Sequence, residues 1–163
     1  MAVATEETTE TEVVAAGTVT VQVVEVLVVT EVIATKIMMQ NSIIYEDNLI
    51  RIEKEPSEIP WLKIFTKEPY KELGDVPKAL RLRLWETFDV IEAEMKEYYN
   101  PTKINMASFA NMLPRVHIHV MARFKEDSYF PNPMWGEKLR DAKLKLPNEE
   151  EFYKRVVKAL ERA

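Results

Sequence analysis

Two histidines, His117 and His119, are the residues of this chain whose type and spacing could most directly carry chemistry. They stand two apart in the segment RVHIHVMAR, residues 115–123, in which polar and apolar residues alternate. Successive side chains of a β-strand point to opposite faces, so both imidazoles should share a face with Arg115 and Arg123, while the apolar residues between them face a packed helix. The pattern therefore predicts a strand that presents two imidazoles and two guanidiniums on one open surface.

These residue types suit a phosphate or nucleotide site. The planar fork of arginine binds oxyanions through pairs of hydrogen bonds. A neutral imidazole can attack phosphorus, and its pKa near neutrality also suits proton transfer. Two alternatives stay open, because the histidines could be structural or could share a zinc ion. A zinc site would need a carboxylate or water to complete its shell, and the neighbouring guanidiniums disfavour a cation, so no metal ligand is assigned.

The composition limits the classes of protein to which this chain can belong. With 163 residues, of which 47% are hydrophobic and 30% charged, the chain can form one domain, or one domain and an appendage. The absence of cysteine excludes disulfides, thiolate zinc sites and a cysteine nucleophile. A formal net charge of −5 argues against a general nucleic-acid binder.

The first part of the chain differs in composition from the rest. Residues 1–42 hold six acidic residues and one basic residue, and residues 1–37 contain no aromatic residue and no proline. We therefore place a boundary near Met38–Ser42. It separates an extension, residues 1–41, from a domain, residues 42–163.

Within the extension, the β-branched run Thr18–Val29 predicts a strand. The run lacks the basic start and the cleavage site of a signal peptide, and Gln22 and Glu25 interrupt it too often for a membrane span. We therefore expect no membrane partner and a cytoplasmic protein. Two interpretations stay open: residues 1–37 are upstream sequence that is not native to the protein, or they add a strand that covers a sheet edge or a dimer surface.

The domain is predicted to contain five strands and two helices. The strands are expected as a pair within Ser42–Ile52 and at Trp61–Thr66, Ile104–Phe109 and Val116–Phe124. A long amphipathic helix is expected over about residues 77–99, with Asp75 as its N-cap and Asn100-Pro101 as its end, and Asn148 is expected to cap the last helix. This pattern predicts an α+β fold, a mainly antiparallel five-stranded sheet with a long central helix and a C-terminal helix.

At the His-x-His strand the chain resembles the histidine triad (HIT) family of nucleotide hydrolases and transferases. The family signature is three histidines that alternate with apolar residues, and residues 115–121 match it with Arg115 in place of the first histidine. The run FPNPMWG, residues 130–136, is similar to the tail of a bacterial branch of diadenosine polyphosphate hydrolase-like proteins, which often lack that histidine. The resemblance covers about residues 42–140 and implies a HIT-like fold.

The resemblance also implies a role for each matching position. His117 matches the nucleophile that attacks the α-phosphorus to form a nucleotidyl-histidine, and His119 matches the histidine that hydrogen-bonds phosphate oxygens. Asn105 and Asn111 match further donors to the phosphate. Glu53 falls where the family binds the ribose hydroxyls of the nucleotide.

Two departures from the family pattern bear on the reaction. Arg115 cannot shuttle a proton, because guanidinium stays charged, but it can neutralise a leaving phosphate and so favours polyphosphate substrates. Trp61 stands where many members have a histidine, so a contact to the nucleophile should be missing or different. The implied function is hydrolysis of diadenosine polyphosphates or related adenylated nucleotides by a homodimer, with no cofactor except Mg²⁺ that could accompany the polyphosphate. The alternative is a purine-nucleotide-binding module with little or no turnover.

Overall fold

The computed structural model of the protein describes Val24, residues 26–33 and residues 42–162. The chain divides into two units, residues 1–41 and residues 42–163, and each unit is considered by itself. Within the described residues, no helix combines the length and the apolar character that crossing a membrane requires.

In the first unit, Val24 and residues 26–33 are helical, so the strand predicted for Thr18–Val29 is wrong where the two overlap. The Thr30 hydroxyl donates to the Val26 carbonyl oxygen, four residues earlier, at 2.7 Å. β-branched residues favour strands mainly because they pack against a neighbouring strand, whereas a helix pairs its backbone groups within the segment. The rest of the predicted strand lies outside the described residues, and both interpretations of the extension stay predictions.

The second unit is built on one five-stranded sheet, which confirms the predicted α+β fold. Its strands are β1 (Ile43–Glu46), β2 (Ile50–Lys54), β3 (Trp61–Thr66), β4 (Lys103–Ala107) and β5 (His117–Arg123). They lie in the order β1-β2-β3-β5-β4, and every neighbouring pair is antiparallel. The sheet therefore places β5, which carries both histidines, between β3 and β4.

Two helices, α1 (Lys78–Tyr99) and α2 (Glu149–Leu160), pack on one face of this sheet. The core between them contains fully buried side chains from strands and helices alike, among them Ile52, Ile64, Ile118, Leu84 and Phe152. The alternation along each strand sends the neighbouring side chains to the opposite face of the sheet. That opposite face is where the two histidines lie.

The start of α1 differs from the prediction. Asp75, predicted to be the N-cap, instead ends a short 3₁₀ turn, Leu73–Asp75, in which its carboxylate accepts from the Glu72 backbone N–H at 3.3 Å. Pro77 occupies the N-cap position. A residue before proline is pushed away from the helical conformation, so a helix cannot run through Val76 and begins only after Pro77.

The other predicted helix ends are confirmed. Asn100 ends α1 in the left-handed conformation, with a φ of 47°, which asparagine adopts more readily than most residues. The Asn148 side chain caps α2 by accepting from the backbone N–H groups of Glu150 and Glu151 at 2.9 and 3.2 Å. The rules for helix ends therefore hold at these two sites and fail only where a proline intervenes.

Candidate functional site

The candidate site is built on β2, β3 and β5, on the face of the sheet away from the helices. In the antiparallel register, each residue of this face stands opposite a partner in the next strand. Two rows of paired residues cross the three strands: Arg51, Phe65 and His117, and Glu53, Lys63 and His119. Each histidine therefore ends a row that contains at least one cation.

The hydrogen bond of His117 determines which of its ring nitrogens carries the proton. Nδ1 lies 2.9 Å from the carbonyl oxygen of Arg115, and because a carbonyl can only accept, Nδ1 carries the proton. In the neutral imidazole, Nε2 then has a free lone pair. The ring is also stacked on Phe65, with centroids 4.8 Å apart, so its orientation is held on two sides.

His119 has the opposite tautomer. The indole Nε1–H of Trp61 donates to its Nδ1 at 3.0 Å, and because this group can only donate, the proton of neutral His119 lies on Nε2. Burial, with the nearby His117 and Lys63, lowers the pKa of His119 to about 4, so the ring stays neutral at neutral pH. The two imidazole centroids are 4.6 Å apart, which puts one acceptor Nε2 and one donor Nε2–H in the same site.

The histidines are not on an open surface, which corrects the prediction. His117 and His119 are only 8% and 7% exposed. Phe109 and Trp135 pack beside His119, with ring centroids 5.5 and 5.1 Å from the imidazole, and 4.4 Å from each other. Phe109 and Trp135 were not predicted to border the histidines, and aromatic residues beside the histidine strand and in the FPNPMWG run are the signal that could have found them. Trp61, where a different contact to the nucleophile was expected, donates to His119 instead.

Arg115, predicted to meet the phosphate, is anchored at the end of β3. One terminal nitrogen of its guanidinium donates to the carbonyl oxygens of Thr66 and Lys67 at 2.6 and 2.7 Å. Its Cζ lies 5.9 Å from the ring centroid of Phe65. Within the described part of the chain, no carboxylate forms an ion pair with Arg115, so its charge is balanced only by carbonyl dipoles.

Arg123 was predicted to share the open face, and the structure shows instead that it is buried and fully engaged. It is 1% exposed and forms an ion pair with Asp127, with Nε and Oδ2 2.8 Å apart. It also donates to the side-chain oxygen of Asn105 at 3.0 Å and to the carbonyl oxygen of Asn132 at 2.8 Å. The prediction failed because the pattern of the strand does not show the carboxylate four residues further on. Arg123 therefore anchors the chain segment after β5 and is not available to bind a ligand.

The remaining predicted ligands lie in different surroundings. Asn105 stands opposite Met121 on the same face of the sheet, and its side-chain oxygen accepts a hydrogen bond from Arg123. Glu53 is on the site face, where its carboxylate is 2.6 Å from Arg51 and 3.8 Å from Lys63. Asn111 is exposed in the loop between β4 and β5, and in the described residues it bonds to neither histidine.

The site offers no cluster of typical metal ligands. Among the described residues, no group of three or more histidine, cysteine, aspartate or glutamate side chains is placed to hold a metal ion. In each histidine, Nδ1 is hydrogen-bonded to a protein group, so Nε2 is the ring nitrogen available to a ligand. The arrangement can provide one nucleophile and one neutral donor to a phosphate.

Comparisons with known proteins agree with this geometry. A sequence model described as the HIT domain matches residues 36–126. Among solved structures, the chain is similar to a histidine triad protein from Bradyrhizobium japonicum, with 22% identity and a TM-score of 0.58 over 77% of this chain and 92% of that chain.

Two further structures are similar to the same extent. One is a histidine triad (HIT) protein from Sinorhizobium meliloti 1021, with 23% identity and a TM-score of 0.59 over 75% of this chain and 93% of that chain. The other is a histidine triad protein from Marinobacter aquaeolei VT8, with 21% identity and a TM-score of 0.59 over 77% of this chain and 93% of that chain. No curated protein sequence matches the chain. These structural likenesses show a shared fold.

Proposed function

The chain belongs to the HIT domain family, and on that premise we propose that it is a nucleotidyl-phosphate hydrolase that acts through a nucleotidyl-histidine on His117. We place it in the branch that resembles diadenosine polyphosphate hydrolases, on the basis of Arg115 and the run at residues 130–136. The observation that carries the proposal is the pair of opposite tautomers, because they supply a nucleophilic Nε2 next to a neutral Nε2–H donor.

The proposed reaction has two displacements at one phosphorus. First, the Nε2 lone pair of His117 attacks the α-phosphorus; the P–N bond forms, the bond to the bridging oxygen breaks, and the leaving phosphate takes the electron pair. Water then attacks the same phosphorus, the P–N bond breaks, and its electron pair returns to Nε2, while the proton of the water passes to solvent. Covalent catalysis of this kind replaces one difficult displacement by two easier ones. Throughout, the carbonyl oxygen of Arg115 holds Nδ1–H and therefore the ring orientation.

The other site residues are proposed to bind the substrate. His119 donates Nε2–H to a phosphate oxygen, and its low pKa keeps it neutral while it does so. The amide nitrogen of Asn105 and the side chain of Asn111 donate to the same phosphate, and Glu53 accepts from the ribose hydroxyls. Arg115 neutralises the leaving phosphate.

The protein is further proposed to act as a homodimer. β4 is an edge strand of the sheet, and Met106 on it is 45% exposed. An edge strand with unpaired backbone groups can pair with the same strand of a second copy. Light scattering coupled to gel filtration tests this, and a mass of one chain at the concentration used in the assay would contradict it.

The test of the function is product analysis with diadenosine polyphosphate at neutral pH, with wild type and His117→Ala side by side. We expect wild type to release AMP and His117→Ala to be slower by at least about a thousandfold, because it lacks the nucleophile. Acid quenching of wild type with labelled substrate should trap label on the protein. Activity that survives in His117→Ala would overturn the proposed nucleophile.

Binding of AMP separates the hydrolase from the alternative. His117→Ala should still bind AMP, because His119 and the other ligands remain, and its unfolding curve shows whether the variant is folded. If wild type binds AMP but releases none from any adenylated polyphosphate, the chain is a nucleotide-binding module.

A further inference from the structure

Three cations surround one buried aromatic ring beside the proposed nucleophile. The Phe65 ring is 4% exposed and stacks on His117. Its centroid is 5.4 Å from Arg51 Cζ, 5.7 Å from Lys63 Nζ and 5.9 Å from Arg115 Cζ. These four residues, Arg51, Lys63, Phe65 and Arg115, are called the Phe65 cluster below. Cation–π attraction can hold each cation on the ring, but it does not neutralise them.

The acidic residues near the Phe65 cluster compensate only part of its charge. Glu53 pairs with Arg51 at 2.6 Å and lies 3.8 Å from Lys63, and Glu55 pairs with Lys63 at 2.6 Å. Arg115 pairs with no carboxylate within the described part of the chain. Three cations therefore face two carboxylates, and the excess charge belongs to the residue whose carbonyl binds His117.

The two guanidiniums of the cluster also have unused donors. The Nε atoms of Arg51 and Arg115 are buried and have no acceptor among the described residues. A buried N–H without a partner costs free energy, and the cost is larger for a charged group. An anion with several oxygens that binds these side chains would supply the acceptors that the chain itself does not.

We infer that the Phe65 cluster is a subsite for a second anionic group of the substrate, namely a phosphoryl group joined to the phosphate that His117 attacks. The inference rests on the proposed function and assigns binding roles to Arg51 and Lys63. Because Phe65 touches His117, a phosphate bound there is next to the reacting phosphorus. The substrate class is therefore a nucleotide with a phosphoanhydride, and a neutral amine leaving group would leave the cluster without its anion.

The direct test uses inorganic tripolyphosphate, which has no nucleotidyl group to transfer, in calorimetric titrations without divalent ions. Wild type should bind it, and Arg51→Gln and Arg115→Gln should each weaken binding by about tenfold or more, since each removes one charge-assisted contact. Lys54→Gln is the matched control. Lys54 is also on β2, but its side chain lies on the helix side, where it contacts Glu150 and Tyr153, so removal of its charge should leave the affinity unchanged.

AMP binding by the same proteins separates this inference from the proposed function. If Arg51→Gln and Arg115→Gln bind tripolyphosphate as tightly as wild type while AMP still binds, the subsite is overturned and the hydrolase proposal stands. Equal weakening by Lys54→Gln would also overturn it, because the effect would then be that of net charge alone. If the variants show the expected pattern but wild type hydrolyses no nucleotide, the subsite stands and the hydrolase proposal fails.

Discussion

One arginine, Arg123, ends β5 and another, Arg115, lies two residues before it, yet the two arginines have different environments. Arg123 is 1% exposed and forms an ion pair with Asp127, which is 0% exposed. Among the described residues, Arg115 donates only to the carbonyl oxygens of Thr66 and Lys67. The sequence pattern treats the two as equivalent, since the alternation predicts the same strand face for both; in the structure β5 begins at His117, so Arg115 lies before the strand. Within the described residues, the arginine with a buried carboxylate partner is committed to the fold, and the one without a carboxylate partner is available to a ligand.

The Arg123 end is held by a buried ion pair whose hydrogen bonds are satisfied. Burial acts to raise the pKa of Asp127, but hydrogen bonds from the Arg123 guanidinium and from the backbone N–H groups of Phe124, Tyr129 and Phe130 hold that pKa below its ordinary value. A buried ion pair is tolerated only when its remaining hydrogen bonds are satisfied in this way. The segment that Asp127 organises leads to Trp135, which packs on His119. The buried Arg123–Asp127 pair therefore helps to position an aromatic residue beside His119.

The largest effect expected is the loss of stability when Arg123 is replaced. Arg123→Met leaves the Asp127 carboxylate buried without its cation, which costs about 3–5 kcal/mol of unfolding free energy. Arg115→Met, two residues before β5, removes two hydrogen bonds to carbonyl oxygens at a partly exposed site and should cost no more than about 2 kcal/mol. Urea unfolding at pH 7 measures both. Equal losses would mean that the two ends do not differ in the way the contacts indicate.

Much of the fold could be predicted because it depends on local patterns. The strand at Trp61–Thr66 and the helix ends at Asn100 and Asn148 each involve residues close in the chain, and each was found where it was expected. The N-terminal strand failed because strand formation needs a partner that composition does not specify. Asp75 failed because Pro77 overrides a good capping residue.

The site could be predicted only in part, since its geometry depends on contacts between distant segments. The pattern brought His117 and His119 to one face, as the register of β3 and β5 shows. It did not show that Trp61, 58 residues earlier, donates to His119, or that Trp135 covers it. It also left out Arg51, because a single arginine on β2 has no motif around it. Such roles follow from strand order, which the sequence pattern alone did not determine.

A smaller effect is expected at the residue that orients His119, between the two ends of the strand. Trp61→Phe removes the indole N–H and leaves Nδ1 of His119 buried without a donor, at a cost of about 1–3 kcal/mol of unfolding free energy. Trp85→Phe is the matched control, since Trp85 lies on α1 and is 39% exposed, and its replacement should change stability by less than about 0.5 kcal/mol. If Trp61→Phe and Trp85→Phe lose the same unfolding free energy, the hydrogen bond from Trp61 to His119 adds no stability beyond that of packing the aromatic ring.

The smallest effect is expected on mild acidification from pH 7 to 6, and at lower pH the two regions should respond in separate pH windows. His119 has its pKa lowered from 6.5 to about 4, so the unfolded chain takes up that proton first and stability falls as pH drops from 6.5 towards 4. Between pH 7 and 6 this loss should be less than about 1 kcal/mol. Asp127 has its pKa held below 3.8, so its contribution is lost only as pH falls further. With two histidines in the chain, an NMR titration gives two imidazole signals, and that of His119 should stay constant from pH 8 to about 5. A midpoint near 6.5 for His119 would contradict its buried, neutral state and remove the distinction between it and an ordinary surface histidine.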